Sequence, residues 1–161
     1  MMLKNITHLI FDWGDTLMAD DPNNKQAMYL WDIITVMPGV AETMPYLHEK
    51  YNCTVGSNAG QSDSEDMRKA FEKVGLEGCF DNYFTSKELG ARKPDSAFFG
   101  NILKLLGASG ENTVMVGNDY EKDISGAKRA GLKTLLITAE NGYYPNADIV
   151  VRSFDEIRDI L

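Results

Sequence analysis

Cysteine is scarce in this sequence, which has only Cys53 and Cys79 among 161 residues. Two cysteines provide neither a disulfide framework nor the paired spacing of a structural zinc site. Small secreted domains depend on several disulfides, whereas proteins of reducing compartments rarely contain any. We therefore expect the protein in the cytoplasm.

Long apolar runs and an excess of positive charge are also missing. No stretch approaches the roughly 20 apolar residues of a membrane-spanning helix, and the start of the chain lacks the apolar region of a signal peptide. Acidic residues outnumber basic ones by 24 to 16, which gives a net charge of -8. An acidic surface suits neither nucleic acid nor an anionic membrane, so we expect neither as a partner. A small anionic substrate held by a few local cations is compatible with this charge.

Repeats, low-complexity segments and linkers rich in proline or glycine are absent from the sequence. A chain of 161 residues can bury a substantial core without disulfides. We predict that residues 1–161 form a single domain.

Short apolar segments alternate with segments of helical spacing. The predicted strands are 8–11, 53–56, 83–85, 113–116, 135–137 and 149–151. The predicted helices are 25–37, 40–51, a helix after a capping box at 62–65, 99–106, a helix around 124–130 and a last helix capped by 153–156. This alternation favours an α/β fold, a three-layer Rossmann-like parallel sheet with helices on both faces.

The first predicted strand delivers polar residues to its carboxyl end. The apolar run 8–11 ends in Asp12, and Gly14, Asp15 and Thr16 follow within four residues. Loops beyond the carboxyl ends of parallel strands are where ligands bind in such sheets. Taken alone, this pattern is equally typical of a strand followed by an Asp-Gly turn.

Three further polar groups follow later apolar runs: Ser57 with Asn58, then Lys93, and then Asn118 with Asp119. In a parallel sheet all of them converge at one edge with the first group. A carboxylate at such an edge can attack phosphorus. Mg²⁺ and a lysine can balance the charge of the transferring group.

The order and spacing of these four groups resemble the haloacid dehalogenase superfamily of aspartate-nucleophile phosphatases. The matching motifs read FDWGDTL, VGSN, RKPD and VGNDYEKDI along the chain. The resemblance covers nearly the whole chain, and four ordered motifs are far more specific than any one of them. It implies a Mg²⁺-dependent phosphate monoester hydrolase with an aspartyl-phosphate intermediate.

The resemblance also implies roles for the matching residues. Asp12 would be the nucleophile, and Lys93 would bridge the phosphate and Asp12 as the second catalytic residue. Ser57 and the amide of Asn58 would hold a phosphate oxygen, and Thr16 would support this substrate-binding loop.

The implied Mg²⁺ site consists of oxygen ligands at the same sheet edge. Asp12 and the carbonyl of Gly14 would bind the ion together with Asn118 or Asp119. Family members usually have aspartate where this chain has Asn118, and both alternatives stay open. Asp123 would play a supporting role by orienting Lys93 or a metal-bound water.

One position departs from the family pattern. Family phosphatases carry a second aspartate two residues after the nucleophile, as general acid and base, but this chain has Gly14 there. Asp15 is adjacent, but successive side chains point in different directions, so we expect only a supporting role for it. Loss of a positioned acid and base slows a reaction about 10²–10⁴-fold. The chain is then either a slow phosphatase or a catalytically impaired relative that binds phosphate, metal or a partner.

A phospho-accepting signalling receiver is a third class that gathers aspartates and a Lys-Pro pair. It needs an acceptor aspartate at the end of a middle strand, where this chain has Ser57. It also leaves the Gly-Asn-Asp group at 117–119 unexplained, so the phosphatase interpretation is favoured.

The cap that many family members insert after the first motif is short here. Residues 18–37 provide only a short helical insert, which predicts a minimal cap and an open site. An open site suits a bulky phosphorylated substrate, or a small one shielded by a partner subunit of a homo-oligomer.

Overall fold

The computed structural model describes residues 3–161; Met1 and Met2, the first residues of the predicted domain, lie outside this range. One parallel sheet contains β1 His8–Phe11, β2 Asn52–Ser57, β3 Asn82–Thr85, β4 Thr113–Gly117, β5 Lys133–Ile137 and β6 Ile149–Val151. The strand order is β3-β2-β1-β4-β5-β6, which places β1 between β2 and β4. The predicted α/β fold is confirmed.

Helices cover both faces of this sheet. They are α1 Val40–Lys50, α2 Ser64–Lys73, α3 Ser86–Leu89, α4 Ser96–Leu106 and α5 Gly126–Arg129. A π-helical turn at Tyr120–Ser125 precedes α5, and 3-10 turns lie at Met28–Leu30, Glu77–Cys79, Gly110–Asn112 and Phe154–Asp159. Within residues 3–161, no helix combines the length and the apolar composition needed to cross a membrane.

The central strand β1 contributes to two separate hydrophobic cores because its side chains alternate between the faces of the sheet. Leu9 and Phe11 pack in the core formed with α1, α2 and the last 3-10 turn. Ile10 packs in the other core, against Phe98 and Phe99 of α4. This is the three-layer arrangement that the sequence predicts.

The register of β1 determines where the first motif lies. Phe11 pairs with Val55 of β2 and with Val116 of β4. The backbone N–H of Asp12 then donates to the carbonyl of Val116, at 3.0 Å. Asp12 therefore emerges between the carboxyl ends of β2 and β4, beside Ser57 and the loop that follows Gly117.

The insert differs from its prediction as a helix over residues 25–37. Only the 3-10 turn Met28–Leu30 is helical, and Val36 instead forms an antiparallel bridge with Met18. The Ala19 N–H donates to the Thr35 carbonyl at 2.8 Å. Residues 33–36 (IITV) are all β-branched and favour this extended conformation over a helix.

Several other boundaries also differ from prediction: α4 begins at Ser96 rather than at 99, and α3 lies in a stretch for which the sequence predicts no helix. The capping box of α2 joins Asp63 and Asp66 rather than Ser62 and Glu65, so the helix begins one residue later than the predicted box implies. The helix predicted around residues 124–130 begins as the π-helical turn, and the last predicted helix is the 3-10 turn Phe154–Asp159. Strands β2 and β4 each end one residue later than predicted, at Ser57 and Gly117.

Candidate active site

Lys93 lies between two carboxylates at the carboxyl edge of the sheet. Its Nζ is 2.6 Å from Asp12 Oδ1 and 2.7 Å from Asp123 Oδ1, and it also donates to the Gly56 carbonyl at 3.2 Å. The side chain of Lys93 is only 3% exposed, and that of Asp123 only 1%. We call Asp12, Lys93 and Asp123 the buried ion triad.

Electrostatics keep this lysine charged. Burial by itself would lower the pKa of Lys93, but the negative charges of Asp12 and Asp123 outweigh it and raise that pKa. Burial raises the pKa of Asp123, with Lys93 opposing the rise. A fixed cation in a water-poor site is suited to hold an anionic group against Asp12.

The loop that carries Lys93 is fastened by Asn58, directly after β2. Asn58 Oδ1 accepts the Lys93 N–H at 2.8 Å, and Asn58 Nδ2 donates to the Lys93 carbonyl at 3.2 Å. The Asn58 side chain therefore positions Lys93. Its neighbour Ser57 is nearly buried, and its hydroxyl accepts the Ala59 N–H at 3.3 Å.

Thr16 links the first motif to the fourth. Its hydroxyl oxygen lies 3.2 Å from Asp12 Oδ2 and 3.0 Å from Asn118 Oδ1. Both oxygens are therefore acceptors for the same hydroxyl. Asp119 has another local task, because its Oδ1 caps the π-helical turn by accepting the Lys122 N–H at 2.9 Å. The Thr16 hydroxyl thus links the side chain of Asn118 to Asp12, whereas Asp119 caps the turn that follows.

The donors at this edge suit a hard cation. Asp12, Asp119, the Asn118 amide and the Gly14 carbonyl all supply oxygen, the ligand type that Mg²⁺ prefers. Among residues 3–161, no group of three or more Asp, Glu, His or Cys side chains forms a complete metal cage. Mg²⁺ commonly uses only one or two carboxylates and completes its shell with waters and substrate phosphate, so this donor set fits it.

A cavity of about 480 Å³ opens above the triad. The predicted site residues Asp12, Gly14, Asp15, Ser57, Asn58, Lys93, Asn118, Asp119 and Asp123 all line it. The predicted Thr16 lies beneath them, 3% exposed. The insert forms another wall, with Asp20, Lys25 and Trp31 among its lining residues. The short insert therefore borders the cavity on one side.

Asp15 organises the start of the insert instead of reaching the triad. Its backbone has φ +61°, a left-handed conformation that aspartate tolerates better than most residues. Its Oδ1 accepts the Asp20 N–H at 2.9 Å, and its own N–H donates to the Met18 carbonyl at 2.6 Å. This geometry agrees with the supporting position expected for Asp15.

Sequence reasoning missed two contributors to the site. The Gly56 carbonyl accepts from Lys93, and backbone acceptors leave no signal in residue types. Asp20 lines the cavity from a stretch, 19–24, that is typical of a polar turn. The sequence hint to Asp20 is Gly14, which lies next to Asp20 in the structure. A glycine at a motif position leaves room for a side chain from another part of the chain.

A family model and several curated proteins match this chain. The family model for haloacid dehalogenase-like hydrolases matches residues 12–131, which include the whole buried ion triad. A ribulose-1,5-bisphosphate 5-phosphatase from Halopiger xanaduensis is 33% identical over 123 residues, covering 76% of this chain and 49% of that protein. The chain spans about half the length of the curated relatives it matches, or less.

Solved structures share the fold over nearly the full chain. An uncharacterized protein from Listeria monocytogenes serotype 4b superposes with a TM-score of 0.84 at 25% identity, covering 96% of both chains. The magnesium-bound YfnB protein of Bacillus subtilis gives a TM-score of 0.79 at 17% identity, covering 98% of this chain and 99% of that one. At such identities the likeness shows the fold alone.

Proposed function

Because this chain belongs to the haloacid dehalogenase-like hydrolases, we propose that it hydrolyses phosphate monoesters through a phosphorylated Asp12, with Mg²⁺ as its cofactor. The observation that carries this proposal is the buried ion triad, in which Lys93 joins Asp12 to Asp123. A buried ion triad contributes little net stability, because the cost of desolvating its charges offsets their attraction. A nucleophile beside a fixed cation explains the triad.

In the proposed first step, an oxygen of Asp12 attacks the phosphorus and the bond to the ester oxygen breaks. Lys93 holds a phosphoryl oxygen as negative charge develops, and the Ser57 hydroxyl donates to another. Asp123 is a positioning residue, because it touches Lys93 rather than the substrate. In the second step, water attacks the phosphorus and restores the Asp12 carboxylate.

Asp12 is held for this attack by two donors. Lys93 Nζ contacts one oxygen and the Thr16 hydroxyl contacts the other, which restricts rotation of the carboxylate. Such positioning lowers the entropic part of the activation barrier, because the carboxylate is already oriented for attack. The Asn58 side chain extends the same restraint to the backbone of Lys93.

The residues that would hold Mg²⁺ are Asp12, the Gly14 carbonyl and Asn118, with Asp119 at the outer side. Asn118 is favoured because its Oδ1 shares the Thr16 hydroxyl with Asp12, whereas Asp119 caps the turn that follows. A cation is needed because Lys93 alone cannot offset Asp12, Asp123 and an incoming phosphate. When bound, Mg²⁺ would neutralise the phosphate and polarise its oxygens. The magnesium-bound YfnB protein, of the same fold, supports this choice of cofactor.

The proposed substrates are small phosphorylated molecules. A cavity of about 480 Å³ is in the range of small-ligand sites. Lys25 and Lys122 line it in addition to Lys93, so that a second anionic or polar group can be accommodated. The relative named as a ribulose-1,5-bisphosphate 5-phosphatase supports sugar phosphates as the first class to test. The cytoplasmic location and a homo-oligomer remain predictions.

Assays of p-nitrophenyl phosphate and sugar phosphates, with Mg²⁺ or with EDTA, test the proposal. We expect turnover that requires Mg²⁺ and falls to background in Asp12→Asn. The matched control Asp159→Asn, at an exposed carboxylate in the last 3-10 turn, should retain it. Acid quenching followed by mass spectrometry should place one phosphoryl group on the peptide containing Asp12.

Absence of turnover on every ester, with no phosphorylated peptide, would contradict the proposal. Mg²⁺-dependent binding of inorganic phosphate without turnover would instead favour the second candidate, a binding module. The observation on its side is Gly14, which removes the acid and base from its usual place.

A further inference from the structure

The space beside Gly14 is occupied by another carboxylate. A Cβ placed on Gly14 would lie 3.2 Å from Asp20 Cβ, 3.5 Å from its Cγ and 3.6 Å from its Oδ2. The Asp20 carboxyl group therefore borders the volume that a side chain at position 14 would enter. Gly14 and Asp20 also line the same cavity as Asp12 and Lys93.

The chain holds Asp20 in this place through local hydrogen bonds. Its N–H donates to Asp15 Oδ1 at 2.9 Å, and the preceding Ala19 N–H donates to the Thr35 carbonyl at 2.8 Å. The bridge between Met18 and Val36 anchors the same strand-like segment. These hydrogen bonds and the bridge hold the turn that carries Asp20.

The two oxygens of Asp20 have different environments. Oδ1 accepts the Asp21 N–H at 2.9 Å, which orients the carboxyl group. Over the described part of the chain, residues 3–161, Oδ2 takes part in no hydrogen bond. Oδ2 is also the oxygen that lies 3.6 Å from the Cβ position of residue 14. An oriented carboxyl group with one uncommitted oxygen, next to Gly14 and in the cavity that Asp12 also lines, is suited to exchange a proton with a reacting oxygen.

We propose that Asp20, supplied by the insert, is the general acid and base of this site in place of a side chain at position 14. This inference rests on the proposed phosphatase function. When Asp12 bonds to phosphorus and the bond to the ester oxygen breaks, Asp20 gives its proton to that oxygen. When water attacks, Asp20 takes a proton from it, and the bond between phosphorus and Asp12 breaks to release phosphate.

This placement also explains the glycine in the first motif. An aspartate at position 14 would direct a second carboxylate against Asp20, because even its Cβ would be within 3.2 Å of Asp20 Cβ. Two carboxylates so close disfavour each other's charge. Gly14 is then the residue that makes room for Asp20.

The test compares leaving groups, because an aryl oxygen departs without a proton whereas an alkyl oxygen needs one. The kcat/KM values for p-nitrophenyl phosphate and glycerol 3-phosphate are measured for the wild type, Asp20→Asn and Asp32→Asn, the last an exposed aspartate of the insert. For Asp20→Asn we expect a loss of about 10²–10⁴-fold on the alkyl ester and little loss on the aryl ester. Asp32→Asn should match the wild type. The aryl ester should also give Asp20→Asn a burst of about one nitrophenolate per protein, because its second step lacks a base.

An equal loss on both esters, or no loss on either, would overturn the role of Asp20 while leaving the phosphatase function intact. A wild type without turnover on any ester would instead remove the proposed function and this inference together. The two failures are therefore distinguishable in one data set.

A swapped variant provides a second measurement. Gly14→Asp combined with Asp20→Ala should recover at least about ten-fold of the alkyl turnover lost in Asp20→Ala, since the acid returns from the other side of the same space. Gly14→Asp alone should give no such gain. A gain as large with Asp20 still present would overturn the proposal, because position 14 would then have lacked an acid in the wild type.

Discussion

In the proposed mechanism, Asp123 serves the site by holding Lys93. Its Oδ1 bonds to Lys93 and its Oδ2 accepts the Asp119 N–H at 3.1 Å, so both oxygens are committed. A sequence pattern that places aspartate in the first turn of a helix is equally typical of a charge favoured by the helix dipole. The Asp123 side chain is only 1% exposed and contacts Lys93, which favours a role in holding Lys93 over an interaction with the helix dipole alone.

Gly117 is the residue-scale feature most directly open to test. An added Cβ would come within 2.6 Å of Asp123 Cβ and Cγ, so Gly117→Ala must displace Asp123 and loosen Lys93. Overpacking of this kind costs about 1–3 kcal/mol, and we expect a lower melting temperature together with reduced turnover. Thermal melts and phosphatase assays measure both.

Gly100→Ala is the matched control, because nothing lies within 4 Å of its Cβ position in α4. Alanine is the better helix former there, so this variant should be unchanged or slightly more stable. A fully stable, fully active Gly117→Ala would show that Asp123 does not depend on the space beside the glycine.

At the scale of elements, two helix N-termini are joined by Glu88. Its Oε2 accepts the Thr85 N–H at 2.9 Å and closes the capping box of α3, while its Oε1 accepts the Ser64 N–H at 2.8 Å, at the start of α2. Burial by itself would raise the pKa of Glu88, but the hydrogen bonds from Thr85 and Ser64 outweigh it and lower that pKa to about 2. The ionised carboxylate thus fastens the elements that follow β2 and β3.

We predict that Glu88→Gln lowers the melting temperature at pH 7 by roughly 2–4 °C, as expected for about 1 kcal/mol of lost capping. Because the folded pKa lies below the usual value of 4.5, the stabilisation is fully present above pH 4.5 and is lost as the pH falls toward 2. Melts at pH 7 and pH 3 should therefore show a smaller difference at the lower pH. Glu140→Gln, at an exposed residue whose side chain makes no hydrogen bond within residues 3–161, is the control. A difference that grows toward pH 3 would contradict this account.

At the scale of the whole molecule, acidic groups gather where phosphate is proposed to bind. The net charge is -8, and the cavity is lined by aspartates from both the sheet edge and the insert. Such a site repels a phosphate ester until cations offset the charge. The fold therefore brings several carboxylates together, and a bound divalent cation would reduce their mutual repulsion.

We predict that millimolar Mg²⁺ raises the melting temperature of the wild type, because a ligand of the native state stabilises it by mass action. NaCl at the same ionic strength is the control for charge screening. Asp12→Asn should lose most of the Mg²⁺-specific shift, whereas Glu140→Gln should keep it. A wild type with no shift beyond that of NaCl would count against the metal site.

Sequence patterns alone predict the sheet and the convergence of the motifs at one edge. Short apolar runs that each end in polar residues define parallel strands, and the carboxyl ends of such strands meet at one edge. The proximity of Asp12, Ser57, Lys93 and Asn118 follows from that topology, and the structure brings all four to one cavity.

The path of the insert and the partners of individual side chains depend instead on tertiary contacts. Apolar spacing over residues 25–37 predicted a helix, but backbone hydrogen bonds to 17–19 hold the segment extended. The place of Asp20 beside Gly14 depends on that path and on the left-handed Asp15. Both features depend on backbone conformation and on contacts between segments that are separated in the sequence. Local sequence patterns specify neither of them.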